Sequence, residues 1–494
     1  VSSGRGHTSD GYTPDASTLE EASLGRDASS QGVGTAFALV LAWGRAASNR
    51  IGESLLVRTD AEANRVFVFG RGISDEGNGE RLHLVRQRPG QFQRTGPIAN
   101  PWISRRQLLV NVEPGEGLRV ENVGRCEMRV RGTAGKNSLV RPGDTLSLHN
   151  QLLFYCAEWP MPSRAGAAYP SDRLPTFGDP DPDGIVGESP SVWWLRDQIA
   201  FAATRSGHVL LLGGSGTGKE LVASAIHNMS PRRGEQLIAR NAATFPEGLI
   251  DAELFGNLKD YPNPGTPARS GLIGAADGST LFLDEIGELP VELQAHLLRV
   301  LDAKGQYHRL GEVVSRNSDL RLIAATNRPL DQLKLDLVAR FKLQIKLPDL
   351  NEHREDIPLL ARHLLRRGAA EERDIGRFFE GSDAKSGEPR MSLELVQALV
   401  QHQYTNNVRE LESLLWKSVA ASKGEQLRLA GELRDALRLA ASPSGGEPPA
   451  GVIPTRDQVA ETLRRNQGVR ERAWRELGLK NRHVLNRLIK RFGL

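Results

Sequence analysis

The sequence predicts a multidomain chain: an all-β sandwich, then an α/β domain with a parallel sheet, a phosphate-binding loop and a helical lid, and finally a small all-α domain. Short β-type runs separated by turn signals fill the first third. The apolar stretch Val209–Leu212 runs directly into Gly-Gly-Ser-Gly-Thr-Gly-Lys-Glu, residues 213–220. The last 41 residues carry eleven Lys/Arg and four Asp/Glu, a net charge of +7.

At 494 residues the chain is too long for one core, and 39% apolar residues support globular folding. The overall charge of +4 carries no general argument for nucleic acid, so the basic excess at the C-terminal end is the informative one. Cys126 and Cys156 are the only cysteines, which excludes a disulfide framework or a cysteine-based metal cluster and fits a reducing compartment. The apolar run Ala36–Trp43 is too short to span a bilayer. A cytoplasmic location and no membrane partner are the expectation.

Residues 1–34, rich in Ser, Gly, Asp and Thr without apolar periodicity, read as a disordered tail. Residues 35–159 contain the runs Ala38–Trp43, Val66–Phe69, Gln107–Val112, Gly117–Val120 and Leu152–Tyr155, with Pro114-Gly115 and Pro142-Gly143-Asp144 as turns. Six prolines in 160–183 make a stiff linker. Strand and helix patterns alternate through 184–351, predicting a parallel sheet covered by helices. Helical spacing then dominates 352–440, as in Ile357, Leu360 and Leu364 or Leu411, Leu414 and Leu415. A Ser, Gly and Pro-rich linker at 441–453 precedes short helices in 454–494.

The glycine-rich segment has the GxxxxGK spacing of a phosphate cradle. Gly213, Gly214, Ser215, Gly216, Thr217 and Gly218 bring backbone N–H groups toward an anion, Lys219 reaches the β- and γ-phosphates, and Glu220 follows in the helix. Downstream, Leu281-Phe282-Leu283-Asp284-Glu285 supplies an Asp for magnesium and a Glu to take the proton of an attacking water. ATP and Mg2+ are the implied cofactors. The alternative is an acidic strand end that caps the next helix.

These residues resemble the AAA+ domain of bacterial enhancer-binding activators, ATPases that remodel sigma-54 RNA polymerase. The match runs through IVGESP at 185–190, GGSGTGKE, AELFG at 252–256, DGSTLFLDEIGELP at 277–290, LRLIAATNR at 320–328, REDI at 354–357 and NNVREL at 406–411. The resemblance implies that Asn241 is a polar switch holding Glu285 from water, Asn327 a γ-phosphate sensor and Arg409 a sensor on the lid. It also implies a homo-oligomer, usually a hexamer, in which Arg340 reaches the neighbour's ATP. Lys334 stands where the family has a first arginine finger. A plain pair of Arg340 with Asp336 is the alternative for that arginine.

One motif departs from the family. The place of its GAFTGA sigma-factor loop holds Asp260-Tyr261-Pro262-Asn263-Pro264-Gly265, in which prolines fix φ and remove donors. The family resemblance implies contact with sigma-54, while this loop leaves open a DNA-bound regulator or scaffold that binds ATP without remodelling sigma-54.

Residues 466–494 resemble the Fis-type helix-turn-helix of the same activators, implying DNA contact by Lys480, Asn481, Arg482, His483, Asn486, Arg487 and Lys490. A solvated basic helix is the alternative. Residues 36–158 resemble a forkhead-associated (FHA) domain, a sandwich whose loops bind phosphothreonine proteins. Arg71 in Gly70-Arg71, with Ser104 and Arg105, matches its phosphate-binding residues, whereas Gln107 replaces the expected His. A sandwich kept for protein contacts alone is the other reading.

Overall fold

The computed structural model describes residues 34–60, 65–72, 79–161, 168–246, 248–302, 305–380 and 387–429, the helix at 456–465, and the single positions 431, 434, 474, 485 and 489. The tail expected over 1–34 lies outside them except for Gly34. Residues 1–433 form one compact unit and residues 434–494 a second.

The β-rich part of the first unit is built from an eight-stranded and a five-stranded sheet. Strand Leu108–Glu113 alternates buried and half-buried residues, the period of a strand with one face on a core. Between the sheets lie Phe37, Leu39, Leu41, Leu55, Phe69, Leu108, Val110, Leu118 and Phe154, with Phe69 and Phe154 edge-to-face at 5.5 Å. Gly34–Gly44 and Leu152–Met161 pair antiparallel in the middle of the larger sheet. Their other faces, which include Ala36, Ala38, Val40, Leu153 and Trp159, are buried too. Lid helix Leu393–Gln401 packs against both strands, which accounts for burial on that side.

The α/β part has a five-stranded parallel sheet in the order Leu237–Asn241, Thr280–Asp284, Arg321–Thr326, Val209–Leu212, Leu343–Lys346. Side chains alternate between its faces. Val209, Leu211 and Ile323 meet helices Pro190–Ala203 and Lys219–Asn228, while Leu210, Leu281, Leu283 and Leu322 meet Leu254, Phe255, Ile273, Leu293 and Leu297. Helices Ile357–Glu371, Leu393–Gln401 and Asn407–Ala421 form the lid.

The described part of the proline-rich connection is not a free spacer. Phe177 lies under the guanidinium groups of Arg86 and Arg88, and Asp179 accepts from Arg366 of the lid at 3.0 Å. Arg88 also forms a buried two-pronged pair with Glu188 at 2.5 and 2.9 Å. Proline stiffness is therefore joined by side-chain anchoring, which composition alone does not encode.

In the second unit the described helix is Arg456–Arg465, and Leu485 and Ile489 are buried. Lys480, Asn481, Arg482, His483, Asn486, Arg487 and Lys490 lie outside the described residues. No described helix is long and apolar enough to cross a membrane.

Candidate functional site

Strand Val209–Leu212 delivers the glycine-rich loop to the C-terminal edge of the sheet, where the adjacent strands end at Thr326 and Lys346. Gly218, at φ +92°, turns the chain into the helix beginning at Lys219. The Lys219 ammonium donates to the carbonyls of Gly213 and Gly214 at 3.1 and 3.2 Å and lies 3.8 Å from Glu285 Oε1. A cationic group is thus held at the mouth of a cavity of about 400 Å³ lined by Ser215–Val222, Asn241, Asp284, Glu285, His353, Arg367 and Arg409.

Asp284 ends its buried strand and accepts from the Glu285 N–H at 3.0 Å. Glu285 has φ +52°, a conformation uncommon outside glycine, and its carboxylate accepts from the Asn327 N–H at 3.3 Å. The strained residue is the one to which the sequence assigns the base. Asn327 meets it through its backbone N–H and is not among the residues that line the cavity. Asn241 pairs in register with Asp284, but its Oδ1 accepts from Ala243 N–H at 2.8 Å and caps its own 3-10 turn. Among the described hydrogen bonds there is none from the Asn241 amide to Glu285, the bond expected of a switch.

The lid reaches the loop directly. Arg409 donates to Ser215 Oγ at 3.0 Å, Asn407 Nδ2 to Ser215 O at 3.0 Å, and Val408 N to Gly216 O at 3.1 Å. A Cβ on Gly216 would stand 2.3 Å from Asn406 O, so glycine is required for the lid as well as for phosphate. At Gly214 a Cβ would come 3.1 Å from Asn407 Nδ2 and Asp349 Oδ1, leaving little room for a side chain. Glu410 folds back over the helix start. Burial alone would raise it, but hydrogen bonds from His402 and from the Asn406 and Thr405 N–H groups hold it down at about 2. Sequence reasoning missed His353, Arg367 and Asn407, residues that only the folded lid brings to the cavity.

Arg340, the expected finger, is paired with Asp302 at 2.9 Å rather than with Asp336. Both partners are about half exposed. Among the described residues no cluster of three or more His, Cys, Asp or Glu could hold a metal alone. Asp284 fits magnesium, which takes one or two carboxylates and completes its shell with phosphate oxygens and water.

At one edge of the sandwich, the Arg71 N–H donates to Ser104 O at 3.0 Å, and a Cβ on Gly70 would stand 2.2 Å from Arg105 O. Gln107 is fully buried and accepts from Ser104 N–H at 3.0 Å while donating to Asn122 Oδ1 and Cys126 O at 2.7 and 2.8 Å. It braces the loop in which the sequence expects a His. Ser104 Oγ accepts from Arg125 N–H at 3.0 Å, which leaves its own proton to donate. Arg81, unremarked in the sequence, ties Gly70 O to Arg105 O.

A parallel sheet that ends in a phosphate loop, a carboxylate pair on the strand next but one to it and a helical lid define a P-loop nucleotide-binding domain of the AAA+ type. Residues 185–350 match the family model of the sigma-54 interaction domain, and residues 351–445 that of an AAA+ ATPase lid domain. The transcriptional regulatory protein ZraR of Salmonella typhimurium is 34% identical over 334 residues, 65% of this chain and 71% of that protein. The chain belongs to the sigma-54-interacting family of AAA+ transcriptional regulators.

It is also similar to the formate hydrogenlyase transcriptional activator FhlA of Escherichia coli, at 35% identity over 63% of this chain. The DNA-binding transcriptional regulator NtrC of E. coli is 42% identical over 50% of it. The chain spans 44% of the length of the first and 52% of the second. A crystal structure of NtrX from Brucella abortus covers 63% of this chain and 69% of its own at 27% identity and a TM-score of 0.42.

Proposed function

We propose that this chain is an ATP-dependent transcriptional regulator of the sigma-54 activator type. The observation that carries the reading is the convergence of Lys219, Asp284 and Glu285 with Arg409 of the lid around one cavity. In it the loop binds the phosphates, Glu285 takes the proton of the attacking water, Asn327 and Arg409 sense the γ-phosphate, and Asn241 moves to Glu285 when the partner engages. Asp284 would hold the magnesium that accompanies ATP, and the ion would supply neutralisation of phosphate charge there.

Arg340 leaves Asp302 to reach the ATP of a neighbouring subunit, so the active form is a homo-oligomer, a hexamer by family resemblance. Lys334 in place of the first finger keeps charge without a planar fork and slows hydrolysis. The C-terminal helix-turn-helix binds enhancer or operator DNA, and the FHA-like sandwich takes the regulatory signal as a phosphothreonine protein at Arg71, Ser104 and Arg105. Transcription from a sigma-54 promoter, reconstituted with and without ATP, tests the whole reading. Transcription independent of this protein and of ATP would overturn it.

A second reading is favoured by the loop at 260–265. Asn257 is buried, and its amide donates to the carbonyls of Leu258, Tyr261 and Pro267 at 2.8, 3.3 and 2.9 Å, which closes the loop on itself. In this reading the ring assembles on ATP at DNA without remodelling sigma-54. Purified protein mixed with sigma-54 in an ATP transition-state analogue separates the two: a stable complex supports the activator, and no complex with ATPase intact supports the scaffold.

A further inference from the structure

We infer that Trp102 is a specificity-determining contact for the partner of the sandwich, reading a large apolar side chain within about three residues of the phosphothreonine. The inference rests on the phosphothreonine reading of Arg71, Ser104 and Arg105. Trp102 is 72% exposed, more than any other aromatic residue among those described.

Its exposure is not that of a slack loop. The Trp102 N–H donates to Asn100 Oδ1 at 3.0 Å, and Asn100 is itself buried and donates to Gln151 Oε1 at 2.9 Å. On the other side Ile103 is fully buried in the sandwich core, and Ser104 is held by Gln107. The indole is therefore presented from backbone fixed at both neighbours, so little conformational entropy is lost when a partner covers it. Rigid exposed tryptophans of this kind are the usual anchors of protein interfaces.

The charge around Trp102 selects the occupant. Arg71, Arg105, Arg106 and Arg125 are exposed on the same loops, which favours a dianionic phosphate and disfavours a cationic side chain over the indole. Trp102 lies two residues from Ser104, on a turn closed by the Ile103 N–H to Asn100 O, so the two are at most about 7 Å apart along the chain. That distance spans about two residues of a bound extended peptide. An apolar side chain near the phosphothreonine thus meets the indole while the phosphate meets Ser104 and Arg105.

The experiment uses the full chain and fluorescein-labelled phosphothreonine peptides with Leu, Phe, Ala or Lys at each of the three positions on either side, with unphosphorylated counterparts. Wild-type protein is expected to bind the best Leu or Phe peptide about tenfold more tightly than its Ala version. Trp102→Ala should lose that tenfold yet keep its preference for phosphorylated over unphosphorylated peptide, and Trp102→Phe should keep part of the tenfold with the same phosphate preference. An unchanged Leu or Phe preference in Trp102→Ala, with phosphate dependence intact, overturns the inference and leaves the phosphothreonine reading standing. Binding that ignores phosphorylation overturns both.

Discussion

Lys219 and Arg340 are both cations held by groups of their own chain, and the proposed function requires each to leave them. The Lys219 ammonium rests on two carbonyls of its own loop, the positions a bound phosphate would contest. Lys219→Ala should weaken ATP binding by more than tenfold, measured with a fluorescent ATP analogue. Arg340 is tethered to Asp302 by a half-exposed pair, and such pairs contribute about 1 kcal/mol or less. Asp302→Ala should leave the melting temperature nearly unchanged and lower the protein concentration at which ATPase activity appears by about two- to fivefold. Arg340→Ala should keep nucleotide binding and lose hydrolysis. Lys219, Asp284 and Glu285 were legible in the sequence because their spacing follows a strand. His353, Arg367 and Asn407 were not, because they lie more than a hundred residues from Lys219 and meet it only when the lid closes.

The loop at 257–267 is the element in which local sequence and family resemblance part. Its prolines announced stiffness, yet much of the restraint comes from one buried amide and from the Tyr261 ring seated on Gly311, where a Cβ would stand 2.7 Å from the ring. A buried asparagine that caps several carbonyls has no sequence periodicity to reveal it. Asn257→Ala takes this donor from the Tyr261 and Pro267 carbonyls and should cost about 1–3 kcal/mol, read by chemical denaturation together with faster proteolysis at 258–267. Unchanged cleavage would assign the restraint to the prolines alone.

Across the whole first unit, the sandwich and the lid are joined by buried polar contacts. Trp159 donates to Glu355 at 2.9 Å, Trp43 to Met391 O at 2.8 Å, and Gln401 of the lid to Thr145 at 2.9 Å. The turn at 353–356 links three parts: His353 lines the nucleotide cavity, Asp356 accepts the Glu188 and Ser189 N–H groups, and Glu355 takes the tryptophan. The sequence displayed this junction as the unbroken apolar run Ala36–Trp43. A strand with one wet face alternates, so the unbroken run signals burial on both faces. It could not say what covers the second face.

Burial and the neighbouring Asp356 push Glu355 up to about 7, against a carboxylate's ordinary 4.5. His353 is also raised: burial works against its charge, but Asp356 and the adjacent glutamates outweigh it. Both raised groups bind protons more tightly in the folded state, so their contribution is full below the unfolded values and is lost as pH rises through the folded ones. Stability of the first unit should therefore fall as pH rises from about 4.5 to about 7 through Glu355, with His353 adding to the fall above its ordinary 6.5, by at most about 1.4 kcal/mol per pH unit for each proton released. Glu355→Gln should flatten most of that slope, as followed by thermal melts across the range.

In the proposed function the loop at 213–220 binds ATP for hydrolysis in a shared ring. Phosphate release by the purified chain, followed against protein concentration beside Lys219→Ala and Arg340→Ala, tests it most directly. The expected turnover rises more than proportionally with protein and is absent in both variants. Turnover strictly proportional to protein and retained in Arg340→Ala, or no turnover at any concentration with ATP bound, would contradict it.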